Sequence, residues 1–148
     1  MSERPYVLAS GGLAALGAAV AGYLTYSHYA HVTVACPTSG CETVQSSAYS
    51  EVFGIPVGLL GLVAYLVILA ALVAPPETSR WLVLGVALSG FVFSTYLVLV
   101  QAFRIGAFCT WCLASDAIVT LIVIVALLRV RTAEGAAAGR SEIGRAHV

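Results

Sequence analysis

Four long apolar runs separated by short polar breaks set the plan of this chain. The first, Tyr6 to Ser27, contains 22 residues without a charge. As a helix it would reach about 33 Å, enough for the ~30 Å hydrocarbon core of a bilayer. A first membrane span over residues 6–27 is therefore expected. Its small residues, among them Gly11, Gly17, Ala21 and Gly22, suit close packing against another helix. A second run follows Pro56, whose missing N–H is harmless in a first helical turn, and predicts a span over 55–74. The string APPETSR then supplies two prolines followed by Thr and Ser, the usual signals for breaking one helix and starting the next. A third span is expected over 81–101, with Trp81 and Tyr96 at interface or packing positions. A very short turn holding Arg104 and Gly106 leads to a fourth span over 109–130.

The polar exception within this pattern is His28 to Val52. Pro37, Thr38, Ser39 and Gly40 are turn residues that can bring Cys36 and Cys41 together. Beyond them, Glu42 to Ser50 reads as a short amphipathic helix resting on the apolar helices, with Ser39 as its cap. His28 and His31 are spaced i,i+3, a pattern read as interfacial or hydrogen-bonded histidines rather than a metal site. After residue 130 the Ala, Gly and charged residues of TAEGAAAGRSEIGRAHV suggest a disordered tail over 131–148. A signal peptide is the competing reading of the first run, but that run is long for one and three more follow. VTVAC before Cys36 is only a weak lipoprotein-like signal. The expected fold class is all-α: a membrane four-helix bundle in one domain, 1–130, with an extracytoplasmic loop containing the short cap helix.

Composition agrees with a membrane protein. The chain is 60% hydrophobic and 9% charged, whereas soluble domains average about 25% charged residues. It has no lysine and zero formal net charge, which sets nucleic-acid binding aside. Arginine placement orients the four-span arrangement. Arg4, Arg80, Arg129, Arg131, Arg140 and Arg145 fall on one side and Arg104 alone on the other, so the positive-inside rule puts both termini in the cytoplasm. All four cysteines then lie on the extracytoplasmic side of a cell inner (plasma) membrane, a result reached without using the cysteines.

Those cysteines are the candidate chemistry. Four cysteines permit three disulfide connectivities, and spacing alone does not choose among them. Cys109 and Cys112 form CxxC where a helix begins, and there the unpaired N–H groups and helix dipole favour a reactive thiolate. Cys36 and Cys41 lie in what reads as a mobile, water-facing loop. A soluble dithiol could exchange with this outer pair, which would pass electrons to the inner pair by successive thiolate attacks. The simplest acceptor within lipid is a quinone, which takes two electrons and two protons. Ser46, Ser47 and Ser50 could offer it hydroxyls, with Phe53 and Phe108 as apolar walls. Asp116, four residues beyond Cys112, is a candidate for proton handling or cofactor contact, since a carboxylate in lipid usually faces a bundle interior. Other readings are a four-cysteine zinc or iron–sulfur site, a scaffold with structural disulfides, and a transporter. The two pairs are poorly disposed for a closed tetrahedral site, so no metal is expected.

From about Tyr6 to Leu128 the chain resembles the bacterial branch of the vitamin K epoxide reductase family. The resemblance rests on CPTSGC, on CETVQSSAYSEVFGIPVGLLGLVAY and on FCTWC opening the last span. It implies a four-helix bundle around a quinone, capped by a short loop helix. Electrons would pass from Cys36 and Cys41 to Cys109 and Cys112. Cys41 and Cys109 would form a transient interpair disulfide, Cys112 would be the thiol that meets the quinone, and Cys36 would exchange with the redox partner. By the same resemblance Ser47 falls where the family has a serine near the substrate ring, and Phe53 belongs to the family's FG junction. Animal members have an asparagine and a tyrosine where this chain has Ser50 and Asp116, which puts reduction of vitamin K or its epoxide in doubt. Many bacterial relatives carry a fused thioredoxin-like domain, and this chain is expected to end too soon for one. The expected partners are therefore a separate extracytoplasmic thioredoxin-like (DsbA-like) protein and the lipid quinone pool, with menaquinone, ubiquinone or a vitamin K-like naphthoquinone as acceptor. A monomer is expected.

Overall fold

A computed structural model describes residues 2–147. Helix α1 spans Arg4–Ala30, starting beside Pro5 and stopping where His31 turns left-handed (φ 53°). Residues 32–36 are in neither helix nor strand. Helix α2, Gly40–Gln45, is followed by a 3-10 turn at Ala48–Ser50. Next comes a small antiparallel hairpin of β1, Glu51–Val52, and β2, Ile55–Pro56. Phe53 (φ 53°) and Gly54 (φ 79°) are both left-handed, as a two-residue hairpin turn matched to strand twist requires. Helix α3 is Val57–Ala71 and α4 is Pro76–Val100. The last turn of α4 widens into a π-helical segment, Gln101–Ile105, that ends at left-handed Gly106. Helix α5 runs from Thr110 to Ala146.

Among the described residues three helices are long and apolar enough to cross a membrane: Arg4–Ala30, Pro76–Ile105 and Thr110–Ala146. The chain is an all-α, multi-pass membrane protein. Helix α3 is apolar but has only 15 residues. Helices α1 and α4 each pack against both α3 and α5, closing a ring around a core that includes Ala14, Ala21, Tyr65, Ile68, Ala87 and Ile122. Gly17 permits one close approach, because a Cβ there would collide with the Tyr65 ring. Leucine and valine side chains such as Leu8, Leu66, Val92 and Leu121 cover the outside and are exposed, as a lipid-facing surface needs.

The two ends of the bundle differ. At one, Glu3 accepts hydrogen bonds from Arg80 Nε (2.8 Å) and Arg129 Nε (2.9 Å), and Arg129 also donates to Ser79 Oγ (3.0 Å). Cys36, Cys41, Cys109 and Cys112 gather at the other.

Three local features depart from the sequence expectations. The cap helix is shorter than Glu42–Ser50, because the chain turns after Gln45 to enter the hairpin. Ser39 stands at its N-cap position without a side-chain capping bond. Residues 131–146 are helical and mostly exposed where disorder was expected. Helix α5 is already nucleated upstream, and Ala133, Ala136, Ala137 and Ala138 favour its propagation.

Candidate active site

Cys109 stands at the N-cap of α5, and its position is fixed from both sides. Its N–H donates to Gln101 Oε1 at 2.7 Å, and its Sγ accepts from the Cys112 N–H at 3.3 Å. The π-helical turn brings Gln101 beneath the N-cap, and Gly106 lets the chain reverse into α5. Hydrogen bonding from the Cys112 thiol is the main influence on Cys109. Burial opposes it, and the N–H groups of Cys112 and Trp111 and the Gln45 side chain add to it. The balance lowers the Cys109 pKa to about 7.

The pair is therefore expected to lose its first proton near pH 7, and exchange initiated by the Cys109 thiolate should accelerate as pH rises through that value and then level off. Removing the sulfur donor with Cys112→Ala should move the Cys109 midpoint upward, toward the ordinary value of ~8.5. Thiolate ultraviolet absorbance across a pH series measures both. A midpoint unchanged by the substitution would exclude the Cys112 sulfur as its cause.

Cys36 and Cys41 are disulfide-bonded, while Cys109 and Cys112 are free thiols. Cys41 and Cys109 are both fully buried and share one cluster with Val44, against which Cys36, Cys112 and Trp111 pack. Gly40 makes this contact possible, since a Cβ at that position would run into the Phe108 carbonyl. Cys36 is partly exposed, and the Thr110 hydroxyl lies 3.8 Å from its sulfur and 3.2 Å from the Thr38 hydroxyl. The loop is not free: Tyr23 and Trp111 both hydrogen-bond to Ala35, so the expected mobile segment is anchored next to Cys36.

Below the cysteines lies a cavity of about 160 Å³ lined by α1, α3, α4, α5 and the cap. Its walls are mainly apolar, with Leu24, Ile68, Phe93 and Val119 among them, and Cys112 faces it. The polar groups in its wall include Gln45, Ser50, Tyr65, Ser94, Gln101 and Ser115. Tyr65 Oη donates to the Ser115 carbonyl at 3.0 Å and lies 2.8 Å from Ser115 Oγ.

The expected quinone-contacting residues fall elsewhere. Ser47 donates to the Val44 carbonyl at 2.7 Å and does not line the cavity. Phe53 is fully exposed at the hairpin tip, because its left-handed turn position aims it away from the bundle. Phe108 is half-exposed and outside the walls. Asp116 accepts from Ser94 Oγ at 2.7 Å and stands behind that wall residue. Helical spacing explains this: Cys112, Ser115 and Val119 form the cavity-facing stripe, and position 116 is rotated off it toward α4. Ser50 does line the cavity, with its hydroxyl donated to the Ser47 carbonyl at 2.8 Å. Tyr65, Gln45 and Gln101 were not anticipated. A polar side chain within or at the end of an apolar run was the available signal for Tyr65 and Gln101, the same reasoning that singled out Asp116.

A family model, that of the vitamin K epoxide reductase family, matches residues 8–127, most of the chain and all four cysteines. The chain belongs to this family. Membership in the vitamin K epoxide reductase family supports a quinone-linked thiol–disulfide redox function with paired cysteines, and the buried meeting of Cys41 and Cys109 beside a Cys112-lined cavity is an arrangement that such chemistry can use.

Proposed function

We propose that the protein is a quinone-dependent dithiol oxidase that reoxidises a secreted thioredoxin-like protein and so supports disulfide formation outside the cytoplasm. One observation carries this reading: the outer and inner cysteine pairs share a buried cluster, and the inner pair reaches the wall of an apolar cavity. Partly exposed Cys36 is the disulfide sulfur that a protein partner's thiolate can attack, Cys41 and Cys109 pass electrons between the pairs, and Cys112 delivers them at the cavity. The lowered pKa of Cys109 suits it to thiolate exchange near neutral pH.

The cavity fits a quinone ring on the chemistry of its walls. Apolar side chains suit the ring faces, and the amides of Gln45 and Gln101 can turn N–H donors toward ring oxygens. Its volume, about 160 Å³, is below the roughly 300–1,000 Å³ of drug-sized sites, which suits a ring head group rather than a whole prenyl chain. A bound quinone supplies the capacity to accept two electrons and two protons. The protein orients the ring, keeps water out and presents the Cys112 sulfur. Menaquinone, ubiquinone and vitamin K-like naphthoquinones all have this head-group chemistry.

Helix α3 is the fourth span in this reading. Its 15 residues reach about 22 Å, and Leu72, Val73 and Ala74 extend the apolar run. Exposed Val63, Leu66 and Val67 suit contact with lipid. Arg80 and Arg129 lie at the end opposite the cysteines, which together with the arginine bias supports a topology with both termini in the cytoplasm and the cysteines outside an inner membrane.

The test mixes purified protein, a lipid-soluble quinone and a reduced thioredoxin-like protein, and follows quinone absorbance together with partner thiols. One quinone consumed for each partner dithiol oxidised is expected. Consumption no faster than in the mixture without the protein would sink the proposal.

A further inference from the structure

Ala35 immediately precedes Cys36, and both of its main-chain groups are held by side chains from other elements. Its N–H donates to Tyr23 Oη at 2.8 Å, and its carbonyl accepts from Trp111 Nε1 at 2.6 Å. The two rings also touch, with centroids 5.3 Å apart and planes tilted by 59°. Tyr23 comes from α1, whereas Trp111 sits between the two cysteines of CxxC and packs against both the helical core and the cysteine cluster. Residues 32–36 themselves are in neither helix nor strand, and besides the main chain through Pro37, Thr38 and Ser39 the covalent tie from Cys36 to α2 is its disulfide to Cys41.

From this geometry we infer that Tyr23 and Trp111 are positioning residues, which hold Cys36 beside Cys41 during the part of the cycle when the bond between them is open. The inference rests on the electron relay proposed above. A partner thiolate attacks Cys36 Sγ, forming a mixed disulfide and releasing Cys41 as a thiolate. Cys41 then attacks Cys109 of an oxidised Cys109–Cys112 pair, forming the Cys41–Cys109 bond and releasing the Cys112 thiolate. The partner's second thiolate attacks its own sulfur in the mixed disulfide, leaving the partner oxidised and Cys36 free as a thiolate. Cys36 finally attacks Cys41, restoring Cys36–Cys41 and releasing Cys109. Two electrons and two protons have moved from the partner dithiol to the Cys109 and Cys112 thiols.

Before that last attack the disulfide cross-link is open, and Cys36 is joined to α2 through the main chain of Pro37, Thr38 and Ser39 alone. The irregular segment between α1 and α2 would then let the Cys36 sulfur sample more conformations, and closure would become slower. The two hydrogen bonds to Ala35 remove that freedom. Because Trp111 is part of CxxC, they also hold the outer cysteine in register with the inner pair. A loosened segment should stall the cycle at one identifiable species, the Cys41–Cys109 disulfide.

The experiment compares full-length protein with Tyr23→Phe, Trp111→Phe and the double variant, turning over a reduced thioredoxin-like protein and quinone. Reactions are quenched in acid, free thiols are alkylated, and the Cys41–Cys109 peptide is quantified by mass spectrometry. A several-fold rise in its steady-state share is expected in each single variant, with a larger rise in the double and a matching fall in turnover. Tyr23→Phe keeps the ring and removes one hydroxyl, so it tests the bond with the packing intact. Turnover that falls while the share of this species stays at the wild-type level would overturn the assignment, as would no change in either. A Cys36→Ser variant, which lacks the resolving thiol, should trap the same linkage. Its failure to do so would overturn the relay itself, whereas trapping there without a rise in the Tyr23 and Trp111 variants would overturn the positioning role alone.

Discussion

Alanine at Cys112 is expected to stop quinone reduction while leaving the protein able to join Cys41 to Cys109. Cys112 faces the cavity, whereas Cys109 is fully buried in the cluster with Cys41. Without Cys112 the Cys109 thiolate can still attack Cys41 and displace Cys36, but no thiol remains to resolve that bond toward the cavity. Turnover should fall to the rate seen without protein, and alkylation of the released Cys36 should preserve the linkage for mass spectrometry. Cys109→Ala should abolish turnover equally and yield no linkage to Cys41, because Cys112 lies on the cavity side of the N-cap. A linkage between Cys41 and Cys112 in that variant would reverse the assigned roles. Both substitutions remove a nucleophile from a sequential exchange, so their effects on turnover should not add.

The division of labour between these sulfurs was only partly legible in the sequence. Four apolar runs and the placement of seven arginines are dominated by transfer energetics that act residue by residue, so hydropathy identified the membrane character and gathered both cysteine pairs at one end. The FCTWC string likewise carries its own local consequence, because a residue just before a helix has unpaired N–H groups beside it. Phe53 shows where local reading stops. Nothing in its side chain announces a left-handed turn, and that conformation alone carries it from an expected cavity wall to full exposure. Asp116 stands just off the cavity lining: four residues is one turn, but the cavity lies on the other side of Cys112, along Ser115 and Val119. The Tyr23 and Trp111 contacts with Ala35 join residues that are 12 and 76 positions apart, and such distant pairs leave no periodic signal. The supposedly mobile loop is held by contacts of this kind.

Glu3→Leu is expected to destabilise the bundle by about 1–3 kcal/mol, less than the ~3–5 kcal/mol of a fully buried pair because the Glu3 side chain is 26% exposed and solvent screens it. Arg129 is 3% exposed, and its guanidinium lies 2.8 Å from Glu3 Oε2. The same carboxylate receives Arg80 Nε, whose other ion pair is with exposed Glu77 at 3.1 Å. Leucine at position 3 would leave Arg129 with Ser79 as its hydrogen-bond partner and no adjacent negative charge. The double variant Glu3→Leu with Arg129→Leu should recover part of the loss, since the stranded charge is then absent as well. Unfolding midpoints in detergent across the four proteins of this cycle measure the coupling, and strictly additive losses would exclude it. Quinone reduction at temperatures well below unfolding should survive, because this network lies at the end opposite the cysteines. Its contribution to catalysis is indirect: Glu3 and Arg129 join α1 to α5 at one end, and Tyr23 and Trp111 meet between the same two helices at the other. A bundle stapled at the Glu3 end presents both Ala35-binding side chains in fixed register, so the outer disulfide approaches CxxC without having to search for it.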